Sequence, residues 1–98
     1  MFSWKVALLL ALLAPAPITA KQYAFDYEKY RTKAVYVSGR VEEVSGNYCT
    51  VYLDHGVAAR LTTEAIRSFS FKVGQELTLH CVGAGAPFKQ PLLLECNL

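Results

Sequence analysis

The sequence is short of the residues from which most active sites and metal centres are built. It has two histidines, His55 and His80, and three cysteines, Cys49, Cys81 and Cys96. No two cysteines stand in a C-x-x-C spacing, so a thioredoxin-like redox site has no support. His80 directly precedes Cys81; in a strand their side chains leave on opposite faces and cannot work as base and nucleophile. His55 follows Asp54 in a turn and is expected to face water. A two-histidine metal site would need these remote positions to converge. No Ser/His/Asp set, paired-carboxylate motif or phosphate loop can be read. Gly83-Ala84-Gly85-Ala86 is rich in glycine, but a proline-bearing strand follows it, so it reads as a hairpin loop. The expectation is a protein that is not an enzyme, with no metal and no cofactor.

An apolar run of membrane-spanning length is also missing. A spanning helix needs about 20 residues, whereas Val6 to Ala14 (VALLLALLA) supplies nine. Met1 to Lys5 precedes that run with one positive charge, and Pro15 to Ala20 follows it, ending in Ile18-Thr19-Ala20. These are the three parts of a secretory leader. Ala20 is the small residue that signal peptidase needs before the cut. Cleavage after Ala16 would put Pro17 just beyond the bond. No cysteine sits at or just after the cut, so a lipoprotein anchor has no acceptor. Residues 1–20 are therefore expected to be a cleaved signal peptide. Residues 21–98 then form one soluble domain, periplasmic or secreted and not membrane-anchored.

A large charge excess is the third absence. Without Lys5 the remaining chain keeps nine basic against eight acidic residues, a net charge of +1. A phosphate-rich partner calls for a strongly basic surface, so a nucleic acid is not the expected partner. A domain of 78 residues buries about 60–65% of its unfolded surface and often needs a covalent staple.

What is present is strand pattern. Phe25 to Lys33 reads as a short helix with Phe25, Tyr30 and Ala34 on one stripe. From Ala34 the apolar period changes from about 3.6 to 2. Val35, Val37 and Val41 mark strand one, with Gly39 as a bend or bulge. Ser45-Gly46-Asn47 is a turn. Strand two spans Tyr48 to Leu53, with Cys49, Val51 and Leu53 inward. Asp54-His55-Gly56 is a tight turn, and strand three is Val57 to Leu61. Thr62 caps a short helix carrying Ile66 and Phe69 on one face. Strand four is Glu76 to Val82, with Leu77, Leu79 and Cys81 on one face. Strand five is Leu92 to Asn97, with Leu92, Leu94 and Cys96 together. Helix, three strands, short helix and two strands is the order of an all-β, five-stranded OB-fold Greek-key barrel.

Several segments resemble one family. Val37-Ser38-Gly39-Arg40-Val41 is similar to the V-x-G-x-V opening of its first strand. Lys72-Val73-Gly74-Gln75-Glu76-Leu77 resembles the lead-in to its fourth. Leu79-His80-Cys81-Val82-Gly83 followed by Leu92-Leu93-Leu94-Glu95-Cys96 resembles its ending. Together these resemble the tRNA_anti-like OB-fold family of small bacterial proteins, usually exported or lipid-anchored. The resemblance covers about Val35 to Cys96. It implies a fold, a compartment and a disulfide, and no tRNA binding. The chain departs from many members in lacking the lipoprotein cysteine and in having Cys49.

Alternation alone puts Cys81 and Cys96 on the apolar faces of neighbouring strands, although their register is open. A bridge between them, closing about 15 residues, would contribute roughly 3 kcal/mol in the chain-entropy model. Cys49 would then be a buried free thiol beside Val51 and Leu61. Pairing strands one to three about their turns sets Val44 against Tyr48, Glu42 against Thr50 and Arg40 against Tyr52. Across the second turn Tyr52 faces Ala58 and Thr50 faces Arg60. The outer surface then carries Tyr36, Arg40, Tyr48, Tyr52 and Arg60. OB-folds bind oligonucleotides and oligosaccharides on this face. The plainer reading is a self-satisfied solvated face, with Arg40 over Tyr52 and Glu42 near Arg60. The expected function is a non-enzymatic exported binding module contacting a protein, peptide or glycan in the bacterial envelope. The alternatives are an oligonucleotide-binding domain and a structural subunit of an envelope or secretion assembly.

Overall fold

A computed structural model describes residues 16–47 and 49–98. Strand β1 (Ile18–Thr19) leads into helix α1 (Ala20–Asp26) and a 3-10 turn at Tyr27–Tyr30. Then come β2 (Ala34–Val44), β3 (Thr50–Leu53), β4 (Val57–Leu61), α2 (Thr63–Ser68), β5 (Glu76–Gly83) and β6 (Leu92–Asn97). The sheet runs β1-β2-β3-β4-β6-β5, and β2 also pairs with β5, which closes β2 to β6 into a five-stranded barrel. β4 and β6 run parallel; the other barrel neighbours are antiparallel. This is the all-β, OB-fold-like barrel expected from the element order.

The inward valines of β2 (Val35, Val37 and Val41) meet Val51, Leu53, Val57, Ala59, Leu79 and Leu93 in one buried cluster. Cys81 and Cys96 lie in the same core and form a disulfide. Thr62 caps α2 as expected, its Oγ1 accepting the Ala65 N–H at 3.1 Å.

Four local expectations need correction. The N-terminal helix starts at Ala20, not Phe25, because Thr19 Oγ1 accepts the Gln22 N–H at 3.0 Å and caps it there. Its buried residues are Ala20 and Tyr23, while Phe25 is 86% exposed. Gly39 is neither bend nor bulge; it remains paired with Leu77. A Cβ there would stand 2.9 Å from Asp54 Oδ1 and 3.0 Å from the Ala20 Cβ, so close approach is what demands glycine. The bulge falls between Val41 and Glu43. In β6 the buried residues are Leu93 and Cys96, while Leu92 and Leu94 are half-buried. Glu95 takes φ 53° and breaks the alternation, so positions three apart both turn inward.

Candidate functional site

The β2–β3 hairpin decides which outer residues meet. The Ser45 N–H donates to the Thr50 carbonyl at 2.9 Å, and the Thr50 N–H to Ser45 Oγ at 3.1 Å, so the chain reverses over a four-residue loop. Val44 therefore falls opposite Val51 and Glu43 opposite Tyr52. The expected pairing of Arg40 with Tyr52 does not form. Arg40 lies opposite Glu76 of β5, and its Nη2 holds Glu42 Oε1 at 2.9 Å. Tyr36 is also on the β5 side, stacked on His80 with ring centroids 4.4 Å apart and planes 9° apart. Ser38 and Thr78 hydroxyls meet between these pairs at 2.8 Å. Tyr48 lies outside the described residues.

Asp54 anchors the corner beneath Arg40. Its Oδ1 accepts the Arg40 backbone N–H at 2.8 Å, and its Oδ2 lies 3.1 Å from His55 Nδ1. Partial burial pushes the carboxyl upward, but the Arg40 N–H and the His55 ring outweigh it and hold Asp54 below the usual carboxylate range.

Tyr52 and Arg60 do come together. β3 and β4 pair in the expected register, Tyr52 opposite Ala58 and Thr50 opposite Arg60. These four residues line a shallow cleft of about 220 Å³ closed on its far side by Leu92, Pro87, Phe88 and Gln90. The last three come from the loop between β5 and β6. Phe88 there is fully exposed and takes φ 58°, a left-handed conformation that non-glycine residues seldom adopt. Gln90 Nε2 donates to the Gly56 carbonyl at 3.4 Å and ties the loop to the β3–β4 turn. Among the described residues Arg60 has no ion-pair partner.

The base of that loop is held by hydrogen bonds from two sides. The Ala84 N–H donates to the Leu92 carbonyl at 3.1 Å, and the Leu92 N–H to the Gly85 carbonyl at 2.9 Å. From α1 the buried Tyr23 hydroxyl donates to the Leu92 carbonyl at 2.7 Å and accepts the Ala84 N–H at 3.3 Å. Burial raises the Tyr23 phenol above its ordinary value despite the backbone bonds. Gly83 leaves room for the Tyr30 carbonyl, where any Cβ would collide.

No protein family, characterised protein or solved structure matches this chain. Chemistry must therefore be read from the side chains themselves. The cleft offers Tyr52, Arg60 and the Thr50 hydroxyl from the β3–β4 strand pair, and the Phe88 ring and Gln90 amide from the facing loop. Such a set stacks and hydrogen-bonds. Among the described residues no group of three or more His, Cys, Asp and Glu could hold a metal ion.

Sequence reasoning found Tyr52 and Arg60 and missed Phe88, Gln90 and Leu92. The available signal was Pro87-Phe88-Lys89-Gln90: a lone large apolar residue in a loop of glycine, alanine, proline and polar residues has no strand phase that points it into the core. Cys49 is free and half-buried, not buried, and its thiol lies 3.4 Å from the Asn47 carbonyl.

Proposed function

We propose that this chain is a non-enzymatic, exported OB-fold module that binds a protein segment, peptide or glycan in the bacterial envelope through the Tyr52–Arg60–Phe88 cleft. The observation that carries the reading is Phe88, fully exposed beside two outward residues of a rigid strand pair. Holding a phenylalanine in water and in a left-handed conformation costs stability. A ligand that covers the ring would offset that cost. The cleft also lies where OB-folds take ligands, on the second and third barrel strands beside the loop joining the fourth and fifth. The Cys81–Cys96 bridge supports an oxidising compartment. A leader cut after Ala20 and membership of the tRNA_anti-like family belong to the same reading.

The test is a binding screen of the exported protein on peptide, glycan and single-stranded oligonucleotide arrays. Phe88→Ala, Tyr52→Ala and Arg60→Ala should each weaken the peptide or glycan signal about ten-fold or more, as central aromatic and arginine anchors do. Melting temperatures should hold, since none of the three is in the core. Identical array profiles for the native protein and all three variants would remove the cleft from consideration. A signal confined to oligonucleotides would replace the proposed ligand class.

A further inference from the structure

Strand β2 is eleven residues long and β3 only four, so β3 cannot cover one whole edge of it. β5 pairs one edge from Ala34 to Arg40. On the other edge β3 reaches only Val41 to Val44. The remainder is covered by the chain's own N-terminal segment: Ile18 lies parallel opposite Val37, and Thr19 opposite Ser38. Ile18 packs on the core, and Ala20 is fully buried beside Gly39. Thr19 lines a polar depression of about 530 Å³ with Ser38, Arg40, Asp54 and Thr78. The segment thus presents an aliphatic, a polar and a small side chain in turn. The third position is fully buried, and its methyl packs so close to Gly39 that a Cβ there would stand 3.0 Å away.

The expected leader cut falls directly after this segment. In the folded chain the Ala20–Lys21 bond is in the first turn of α1, behind the Thr19 cap. A peptidase needs extended, accessible backbone, so the cut must precede folding. The processed domain then folds without Ile18, Thr19 and Ala20. It exposes unpaired backbone groups at Tyr36 and Ser38, which face this edge as the Arg40 N–H does, together with the apolar footprint of Ile18. An open strand edge of this kind takes up extended chain.

We propose that, in the processed protein, the seat of Ile18–Ala20 on β2 is an acceptor site for an extended segment of another polypeptide. The incoming chain lies parallel to Val37–Gly39 and carries an aliphatic, polar, small order of side chains. The proposal rests on the leader reading above and is independent of the Phe88 cleft. The precursor itself shows what fits: its own Ile-Thr-Ala fills the seat in cis.

The experiment uses protein recovered after export, with its amino terminus fixed by sequencing. It is titrated with an acetylated, amidated peptide matching residues 16–20 while backbone amide resonances are followed. An amino terminus at Lys21 and saturable shifts centred on Val37, Ser38 and Gly39 are expected. The same peptide with leucine in place of Ala20 should bind about ten-fold more weakly or worse, because the site is overpacked. Phe88→Ala should leave the titration unchanged, while it weakens the array signal of the other site. An amino terminus that retains Ile18 would overturn the proposal, since the seat is then filled in cis. Absence of saturable shifts in protein starting at Lys21, or equal binding of the leucine peptide, would overturn it as well.

Discussion

Asp54 shows how one side chain sets a corner of the barrel. Its carboxylate accepts the Arg40 N–H and meets His55, and it fills the space that Gly39 leaves without a Cβ. These bonds favour the ionised form, so Asp54 titrates lower folded than unfolded. The unfolded chain therefore holds more protons in the carboxylate range. Stability from Asp54 is complete above its unfolded pKa and is lost as pH falls through the folded one. In Asp54→Asn the side chain keeps its shape and loses its charge. Thermal melts of the two proteins between about pH 6 and pH 2 should show the native protein ahead at the upper end and the gap closing toward the lower. A gap that does not change with pH would mean that the carboxylate charge contributes nothing at this corner.

At the level of elements, the disulfide and the strand faces were legible to different degrees. β4 and the Thr62 cap could be read because a glycine turn and a capping threonine fix their ends. Cys81 and Cys96 pair, and for Cys81 alternation was reason enough. For Cys96 it was not: the alternation through Leu92 and Leu94 is broken at Glu95, whose positive φ lets both Leu93 and Cys96 point inward. A glutamate gives no sign of a left-handed position, so that phase change could not be foreseen. The β2–β3 register was missed for a similar reason. Ser45 and Thr50 close a loop wider than Ser45-Gly46-Asn47 suggests, which sets Glu43 rather than Arg40 opposite Tyr52, while Tyr52 and Arg60 still meet across β3 and β4. Two outcomes follow at this scale. Glu95→Gly should raise stability by about 0.5–1 kcal/mol, the left-handed cost less the added unfolded-state entropy, read as a higher urea midpoint at constant slope. Replacing both Cys81 and Cys96 by alanine should lower stability by about 3 kcal/mol for a loop of this length. Cys49→Ser should do far less. Thiol titration of the unfolded, unreduced native chain should count one reactive group, that of Cys49, and a count of three would remove the bridge.

Across the whole molecule, charge separates the candidate ligands more sharply than shape does. An OB barrel with aromatic rings on its outer face could stack bases or sugars or hold a peptide, and the rings are indifferent to which. Nucleic acid adds a requirement that the others do not: each phosphate neutralised by a basic side chain releases a counterion, and for single strands affinity falls with salt at a slope of about −0.7 per phosphate contacted. Around the cleft the cations are Arg60 and, in the adjoining loop, Lys89. Arg40 is already engaged by Glu42 on the β5 side. Two cations set the slope near −1.4 at most, and the expected slope for a peptide or neutral glycan held by stacking and hydrogen bonds is shallower still. Affinities for the best array ligand measured at several salt concentrations up to about 0.5 M, where the Debye length is only about 4 Å, should therefore change little. A slope steeper than about −2 would require phosphate contacts beyond those the cleft can make, and would move the ligand from peptide or glycan to a polyanion tracking a longer path around the barrel.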